Sequence, residues 1–305
     1  MIPVITGPTA TGKTDFVLNL AKEIDLEIIN ADAYQVYKYM DIGTAKPSLE
    51  ERKQIKHHLI DILTPDKTYS AGDFFDNAEK LIEEILAKNK KPIIVGGTGL
   101  YVETLQKGLF KGPPRNEQIR NEFRNIIKDK GLQYLYEHLK KIDPEYALKI
   151  SENDSVRIIR ALEVYEILKI PFTEAHRIYH KYPKFQYKIY VFYRKRQNLY
   201  DRINKRVDTM IKFGWVDEVN NLKNMGYSKD LPSMKAIGYC EIYDYIEGKM
   251  DLDETIQKIK KRTRNFAKRQ LTWFRHMQNV EWVDVENYDM KDLINKIISD
   301  YDCSI

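Results

Sequence analysis

The sequence predicts an α/β fold in which a parallel sheet core is interrupted by a helical insertion and followed by a helical C-terminal region. Three observations carry the prediction. Apolar runs at residues 1–6, 26–29 and 92–95 each stop at a polar or glycine-containing loop, the pattern of strands covered on both faces. The first run leads through a loop into residues 14–24, where Phe16, Val17, Leu20 and Ala21 recur at helical spacing. After Gly112-Pro113-Pro114 the pattern becomes helical and rich in charge.

Residues 1–6 read as the first strand and 14–24 as the first helix. The second strand, 26–29, ends at Asn30-Ala31-Asp32, and a third, 92–95, ends at Gly96-Gly97-Thr98-Gly99. Helices are expected at 116–128, 132–140, 144–150 and 155–168. Pro171 and Pro183 punctuate the chain, 189–192 reads as a further strand, and helices dominate from Leu199 onward. Residues 1–112 and 186–305 thus form the α/β core with basic C-terminal helices, and 113–185 a helical insertion. In an open parallel sheet the loops at the carboxyl ends of strands lie together and bind the ligand. That rule puts the loop from Gly7 to Thr14, Asp32 and Thr98 in one cleft.

A chain of 305 residues buries a full core, and 43% apolar with 31% charged residues describes a globular protein rather than a disordered or fibrous one. It has no apolar run of membrane-spanning length, and its opening residues run into a strand without a basic region or cleavage site, so a cytoplasmic protein with no membrane partner is expected. Cys240 and Cys303 form neither a disulfide framework nor a zinc spacing, and the adjacent His57 and His58 cannot converge on one ion, which removes zinc and redox chemistry. The net charge of +5 is small. Its distribution is not even: residues 257–276 hold Lys258, Lys260, Lys261, Arg262, Arg264, Lys268, Arg269 and Arg275 with no acidic residue, while Ile256, Ile259, Thr263, Phe266, Leu271 and Phe274 recur near helical spacing. This is a helix with an apolar seam and a basic face. A solvated surface helix and a nucleic-acid contact both fit it; 21 tyrosines and the basic stretch 194–206 favour the latter.

Gly7-Pro8-Thr9-Ala10-Thr11-Gly12-Lys13-Thr14 matches the phosphate-loop pattern in its required place between strand and helix, which makes the core P-loop and nucleotide-kinase-like. Its glycines turn backbone N–H groups toward an anion, the helix start adds positive potential, Lys13 supplies a mobile charge, and the Thr14 hydroxyl can ligate Mg²⁺. Kinases, ATPases and other transferases share this loop. A hydrolase needs an apolar strand ending in Asp for its metal, and Leu59-Ile60-Asp61 is a weak match.

Further blocks decide among these. Asn30-Ala31-Asp32-Ala33-Tyr34-Gln35-Val36-Tyr37, Met40-Asp41-Ile42-Gly43-Thr44-Ala45-Lys46-Pro47, Tyr69-Ser70-Ala71-Gly72-Asp73-Phe74 and Val95-Gly96-Gly97-Thr98-Gly99-Leu100-Tyr101 follow the phosphate loop. Then come Asn153-Asp154 with Arg157, Arg160-Ala161-Leu162-Glu163-Val164-Tyr165, Ala236-Ile237-Gly238-Tyr239 and Ala267-Lys268-Arg269-Gln270-Leu271-Thr272-Trp273-Phe274-Arg275. In these blocks, from residue 7 to 275, the chain resembles the bacterial tRNA dimethylallyltransferases, also called tRNA isopentenyltransferases.

The resemblance implies transfer of a dimethylallyl group from dimethylallyl diphosphate to N6 of adenosine 37, beside the anticodon, in tRNAs that read codons beginning with U, with Mg²⁺ as cofactor and diphosphate released. The acceptor is the tRNA anticodon stem-loop, and a monomer is expected. By the same resemblance Asp32 is the base that takes the N6 proton, and Thr98 bonds the bridging oxygen or orients the reacting groups. Gly7, Thr9, Ala10, Thr11, Gly12, Lys13 and Thr14 hold the diphosphate with Arg202 and Arg206, and Thr14 serves the metal. RNA contacts fall on Asp32, Ala33, Tyr34, Gln35, Thr98 and Arg120, on Val156, Arg157, Ile158, Ile159 and Arg160, and on Met234, Lys235, Ala236, Ile237, Gly238 and Tyr239. Ala33 stands where the family commonly has Ser. Without the resemblance, Asp32 would read as a turn or cap residue. A small-molecule kinase, a prenyltransferase of free adenine nucleotides and a non-catalytic RNA-binding protein are the competing readings.

Overall fold

The structure, a computed structural model, describes residues 1–302; Cys303 lies outside them. The described chain divides into two compact units, one of residues 1–107 with the chain from 183 onward and one of residues 108–182.

The first unit opens with β1 (Ile2–Thr6), α1 (Lys13–Leu20), β2 (Leu26–Asn30), α2 (Leu49–Gln54), β3 (His57–His58), α3 (Ala71–Leu86), β4 (Lys91–Val95) and α4 (Gly99–Lys107). The second unit holds β5 (Leu109–Phe110), α5 (Glu117–Lys130), α6 (Leu132–Ile142), α7 (Pro144–Ala147), α8 (Ser155–Leu168), α9 (Phe172–Ile178) and β6 (His180–Lys181). The first unit resumes with β7 (Tyr187–Tyr193), α10 (Arg196–Lys212), α11 (Trp215–Asn224), a 3₁₀ turn at Ser233–Lys235, α12 (Tyr239–Ile246), α13 (Leu252–Arg275), β8 (Val280–Asp284) and α14 (Met290–Asp302).

Six strands form one sheet in the order β3-β2-β4-β1-β7-β8, every pair parallel. The residues of β1 and β2 are buried throughout, as strands covered on both faces require. α1 and α14 contribute Phe16, Val17, Leu20, Leu293, Ile294 and Ile297 to the core packed around Ile5, Ile93, Tyr190 and Phe192. A second core gathers Val36, Met40, Trp215, Met234, Tyr239, Ile242 and Ile259. In the other unit Phe123, Leu135, Leu139, Ile158, Leu162 and Phe172 form a separate core.

Local signals set several boundaries. Ser48 and Ser70 each accept an N–H three residues on, and Glu51 and Asp73 answer from that position, so α2 and α3 start in capping boxes. Four expectations differ from the structure. The helix expected at 14–24 ends at Leu20, and that expected at 144–150 ends at Ala147. The helical C-terminal region contains β8, a half-exposed five-residue strand at the sheet edge, and a small antiparallel pair, β5 with β6, stands among the helices of residues 108–182.

Candidate active site

β1 reaches the sheet's carboxyl end at Thr6, and the chain turns at Gly7 with φ 132°. A Cβ on Gly7 would lie 2.2 Å from the carbonyl oxygen of Phe192, so only glycine allows the loop this close to β7. Ala10 takes φ 64° and Gly12 φ 98°, after which α1 begins. Thr11 donates from its hydroxyl to the Pro8 carbonyl at 2.9 Å, and Lys13 Nζ donates to the carbonyls of Gly7 and Pro8 at 2.9 and 2.8 Å. Thr14 is exposed in the first turn of α1. Helix α10 braces the loop from outside: Arg202 Nε donates to the Ala10 carbonyl at 2.9 Å, and Arg206 reaches the Thr9 hydroxyl at 3.5 Å.

The neighbouring strand ends are joined to this loop. Thr6 donates to the Gly96 carbonyl at 2.8 Å. A Cβ on Gly96 would meet the Ala31 carbonyl oxygen at 2.1 Å, which sets β2 and β4 flush at their ends. The Thr98 N–H donates to the Ala31 carbonyl at 3.2 Å, and the Thr98 hydroxyl accepts the Ala33 N–H at 3.0 Å. Asp32 lies two residues past the end of β2. Its Oδ1 accepts the N–H groups of Tyr34 at 2.9 Å and Gln35 at 3.4 Å, which leaves Oδ2 for other work.

Charge follows from burial. Desolvation pushes Lys13 down to about 7, helped by the cationic Arg206 and opposed by Asp32. Burial raises Asp32 above the ordinary Asp value against the backbone N–H bonds and the charges of Lys13 and Arg206. Arg206 is lowered by burial and supported by Asp32. Two cations and one carboxylate therefore sense one another at the phosphate loop, a set whose net positive charge suits an anion.

Beyond Asp32 the chain is held tightly. Gln35 donates to the carbonyls of Thr44 and Ala45 at 3.0 and 3.2 Å. Glu218 accepts the N–H groups of Asp41, Ile42 and Gly43 at 2.7, 2.7 and 3.1 Å, and the Tyr239 hydroxyl at 2.7 Å. The buried Lys46 ammonium pairs with Asp41 and Asp61. Asp61, the weak metal candidate, is thus committed to Lys46 and to Arg52, which it meets at 2.5 Å. His58 bonds Glu27 at 2.7 Å, and no group of three or more His, Cys, Asp or Glu suited to a metal occurs among the described residues. Mg²⁺ bound chiefly through diphosphate oxygens needs only one or two protein ligands; the exposed Thr14 hydroxyl fits that donor set.

Of the other stretches, Met234, Ala236 and Tyr239 are buried, Gly238 is pressed against Trp215, and Lys235 is exposed, with Ile237 partly covered. Within residues 108–182, Ile158 and Ile159 are core, so Val156 and Arg157 are the side chains of that turn that face solvent fully. Arg120 and Arg160 both bond the buried Glu163, at 2.9 and 2.7 Å. In the basic helix α13, Ile259, Ala267, Gln270 and Phe274 face inward while Lys261, Lys268, Arg269 and Arg275 are exposed.

Sequence reasoning gave no role to Gln270, Glu218, Glu163 or Arg194. Gln270 accepts the Thr9 N–H at 3.0 Å, and Arg194 donates to the Thr11 carbonyl at 3.2 Å. Only the basic stretch containing Arg194 gave any hint; the Gln270–Thr9, Glu218–Asp41 and Glu163–Arg120 contacts span 261, 177 and 43 residues of chain, and no local pattern marks them.

The IPP transferase family model matches residues 35–277. A tRNA dimethylallyltransferase of Thermotoga neapolitana is 45% identical over 299 residues, covering 97% of both chains. One from Acetivibrio thermocellus is 45% identical over 98% of this chain and 96% of its own. The solved full-length tRNA isopentenylpyrophosphate transferase of Bacillus halodurans aligns with a TM-score of 0.72 at 40% identity, over 98% of this chain and 95% of that one. A eukaryotic dimethylallyltransferase acting on tRNA aligns at 0.84 with 28% identity, over 98% and 79% of the two chains.

Proposed function

The chain belongs to the IPP transferase family, and on that premise we propose that it transfers a dimethylallyl group from dimethylallyl diphosphate to N6 of adenosine 37 in tRNAs that read codons beginning with U. The 45% identity to tRNA dimethylallyltransferases over nearly the whole chain supports dimethylallyl transfer to tRNA. The observation that carries the finer reading is Asp32 at one strand end beside a phosphate loop at another, with Thr98 between them.

The N6 lone pair is delocalised into the adenine ring, so attack on the allylic carbon needs a base that removes the N6 proton as the C–N bond forms. The Asp32 carboxylate takes that proton on Oδ2, and burial makes it a stronger base than an exposed Asp. The allylic C–O bond breaks and its electron pair leaves on diphosphate. Lys13, Arg206 and the loop N–H groups stabilise the growing charge. Because the Thr98 hydroxyl accepts from Ala33, its own proton is available to the bridging oxygen. Mg²⁺ at Thr14 would supply further charge to the leaving group.

The target base must leave the anticodon stack to reach Asp32, which costs a few kcal/mol, and RNA contacts offset it. We assign these to Ala33, Tyr34 and Gln35, to Lys235 with the backbone from Met234 to Tyr239, and to Val156, Arg157, Arg160 and Arg120. The exposed face of α13 adds phosphate contacts. A tRNA acceptor implies a cytoplasmic protein, and one chain supplies every group named; among the described residues no helix is long and apolar enough to cross a membrane.

The test is incubation with Mg²⁺, dimethylallyl diphosphate and unmodified tRNA, followed by nucleoside mass spectrometry. Prenylated adenosine is expected from the wild type, with a loss of about 10² to 10⁴ in rate for Asp32→Asn. A protein that binds the tRNA yet forms no prenylated nucleoside overturns the proposal.

A further inference from the structure

Helix α13 does more than present a basic face. One of its inward side chains, Gln270, is 7% exposed and lies between the two loops that the proposed reaction uses. Its Oε1 accepts the Thr9 N–H of the phosphate loop at 3.0 Å, and its Nε2 donates to the Gly97 carbonyl, immediately before Thr98, at 2.8 Å. A backbone N–H needs an acceptor and a carbonyl needs a donor, so the amide has one orientation and both its ends are used. Glu lacks the donor, Met lacks both, and Asn is one carbon short.

The packing around this amide leaves little slack. A Cβ on Gly97 would sit 2.6 Å from Gln270 Nε2, and one on Gly99 would sit 2.5 Å from Trp273 Cδ1. One turn before Gln270, Ala267 is fully buried in a cluster with Ala10 of the phosphate loop and Leu199 and Ile203 of α10. α13 therefore lies directly on both loops. Its next residues outward, Lys268, Arg269, Thr272 and Trp273, line an open groove of about 680 Å³.

We propose that Gln270 is a positioning residue that sets the separation of the phosphate loop and the Thr98 loop, and so the geometry of the leaving group. The inference rests on the prenyl-transfer reading above. Thr9 belongs to the loop that holds diphosphate, and Thr98 addresses the bridging oxygen. A displacement of either by about 1 Å misaligns the breaking C–O bond, an error that costs on the order of a hundredfold in rate. Gln270 touches no reacting atom; it acts through the two backbones it joins.

The experiment compares wild type, Gln270→Met and Gln270→Glu. Three quantities are measured: single-turnover transfer with both substrates saturating, calorimetric affinity for inorganic diphosphate, and the thermal midpoint. Gln270→Met is expected to slow transfer by about a hundredfold while diphosphate affinity changes by less than about threefold, because misalignment is felt in the transition state more than in ground-state binding. Gln270→Glu, which keeps only the acceptor for Thr9, is expected to fall between the two; it decides the question if the Met protein does not fold. Transfer within about threefold of wild type in the folded variants overturns the inference, as does a loss matched by equal losses of diphosphate affinity and folded protein. A wild type that binds diphosphate and tRNA but transfers nothing overturns the prenyl-transfer reading itself, and this inference with it.

Discussion

The Thr98 hydroxyl accepts the backbone N–H of Ala33 at 3.0 Å and so ties the loop after β4 to the residue that follows Asp32. This bond gives the short segment 31–35 a fixed place beside the phosphate loop. Thr98→Val keeps the shape of the side chain but leaves the Ala33 N–H without its partner, at a cost of about 1–3 kcal/mol. Transfer by Thr98→Val is expected to fall about tenfold to a hundredfold, and Thr98→Ser to retain most of the wild-type rate. Equal rates for Val and Ser would remove any role for the hydroxyl.

Lys13 titrates near 7, far below the ordinary lysine value of 10.5, chiefly because it is desolvated. A bound anion favours its charged form, so diphosphate binding takes up protons above pH 7 and weakens as pH rises toward 9. Calorimetry of inorganic diphosphate in two buffers of different ionisation enthalpy measures that uptake, and Lys13→Met should abolish its share. The sign for folding is opposite. Between 7 and 10.5 the unfolded chain binds more protons at this residue, so stability rises with pH across that window. A slope unchanged in Lys13→Met would place the titration elsewhere.

Glu163 is fully buried between Arg120 and Arg160 and also accepts the Asn116 N–H at 2.7 Å. Burial alone would raise its carboxyl, but the two arginine bonds and the Asn116 N–H bring it to about 2. Its contribution to stability is complete above the ordinary Glu value of 4.5 and is lost as pH falls from there toward 2. Glu163→Ala is expected to cost toward the lower end of about 3–5 kcal/mol at neutral pH, because Arg160 keeps a quarter of its side chain in water. Urea unfolding at pH 7 and pH 3 tests this: the wild-type and variant curves should lie closer together at the lower pH.

Trp215 is wedged between two glycines. A Cβ on Gly43 would lie 2.1 Å from its Nε1, and one on Gly238 would lie 2.1 Å from its Cη2, with Gly238 also at φ 99°. Overpacking of about 1–3 kcal/mol and left-handed strain of about 1–2 kcal/mol add in Gly238→Ala. A loss of about 2–5 kcal/mol in urea unfolding is expected. A loss under about 1 kcal/mol would mean that Trp215 can move aside freely.

The resemblance blocks show how far local information extends. Gly7 to Thr14 could be recognised because each residue's task, a turn, an N–H or a charge, is performed within eight consecutive positions. The strands β1, β2 and β4 were legible as apolar runs closed by polar loops, and the rule for open parallel sheets was enough to bring Asp32 and Thr98 to the phosphate loop. β8 was not legible, because Val280–Asp284 is half exposed at the sheet edge and lacks the continuous apolar run of a central strand.

The sequence by itself determined the fold class, the phosphate-loop pattern between strand and helix, the strand-end carboxylate and the basic helix, since each is written in neighbouring residues or in a short period. Tertiary structure alone decided what the isolated polar residues do. Gln270 could have been a solvated residue on a charged helix, Glu163 one acidic residue among many, and Arg120 a free cation. Gln270 meets Thr9 261 positions away, and Glu163 meets Arg120 43 positions away. A buried polar group must meet its partner wherever the fold brings one, and no local pattern records that distance.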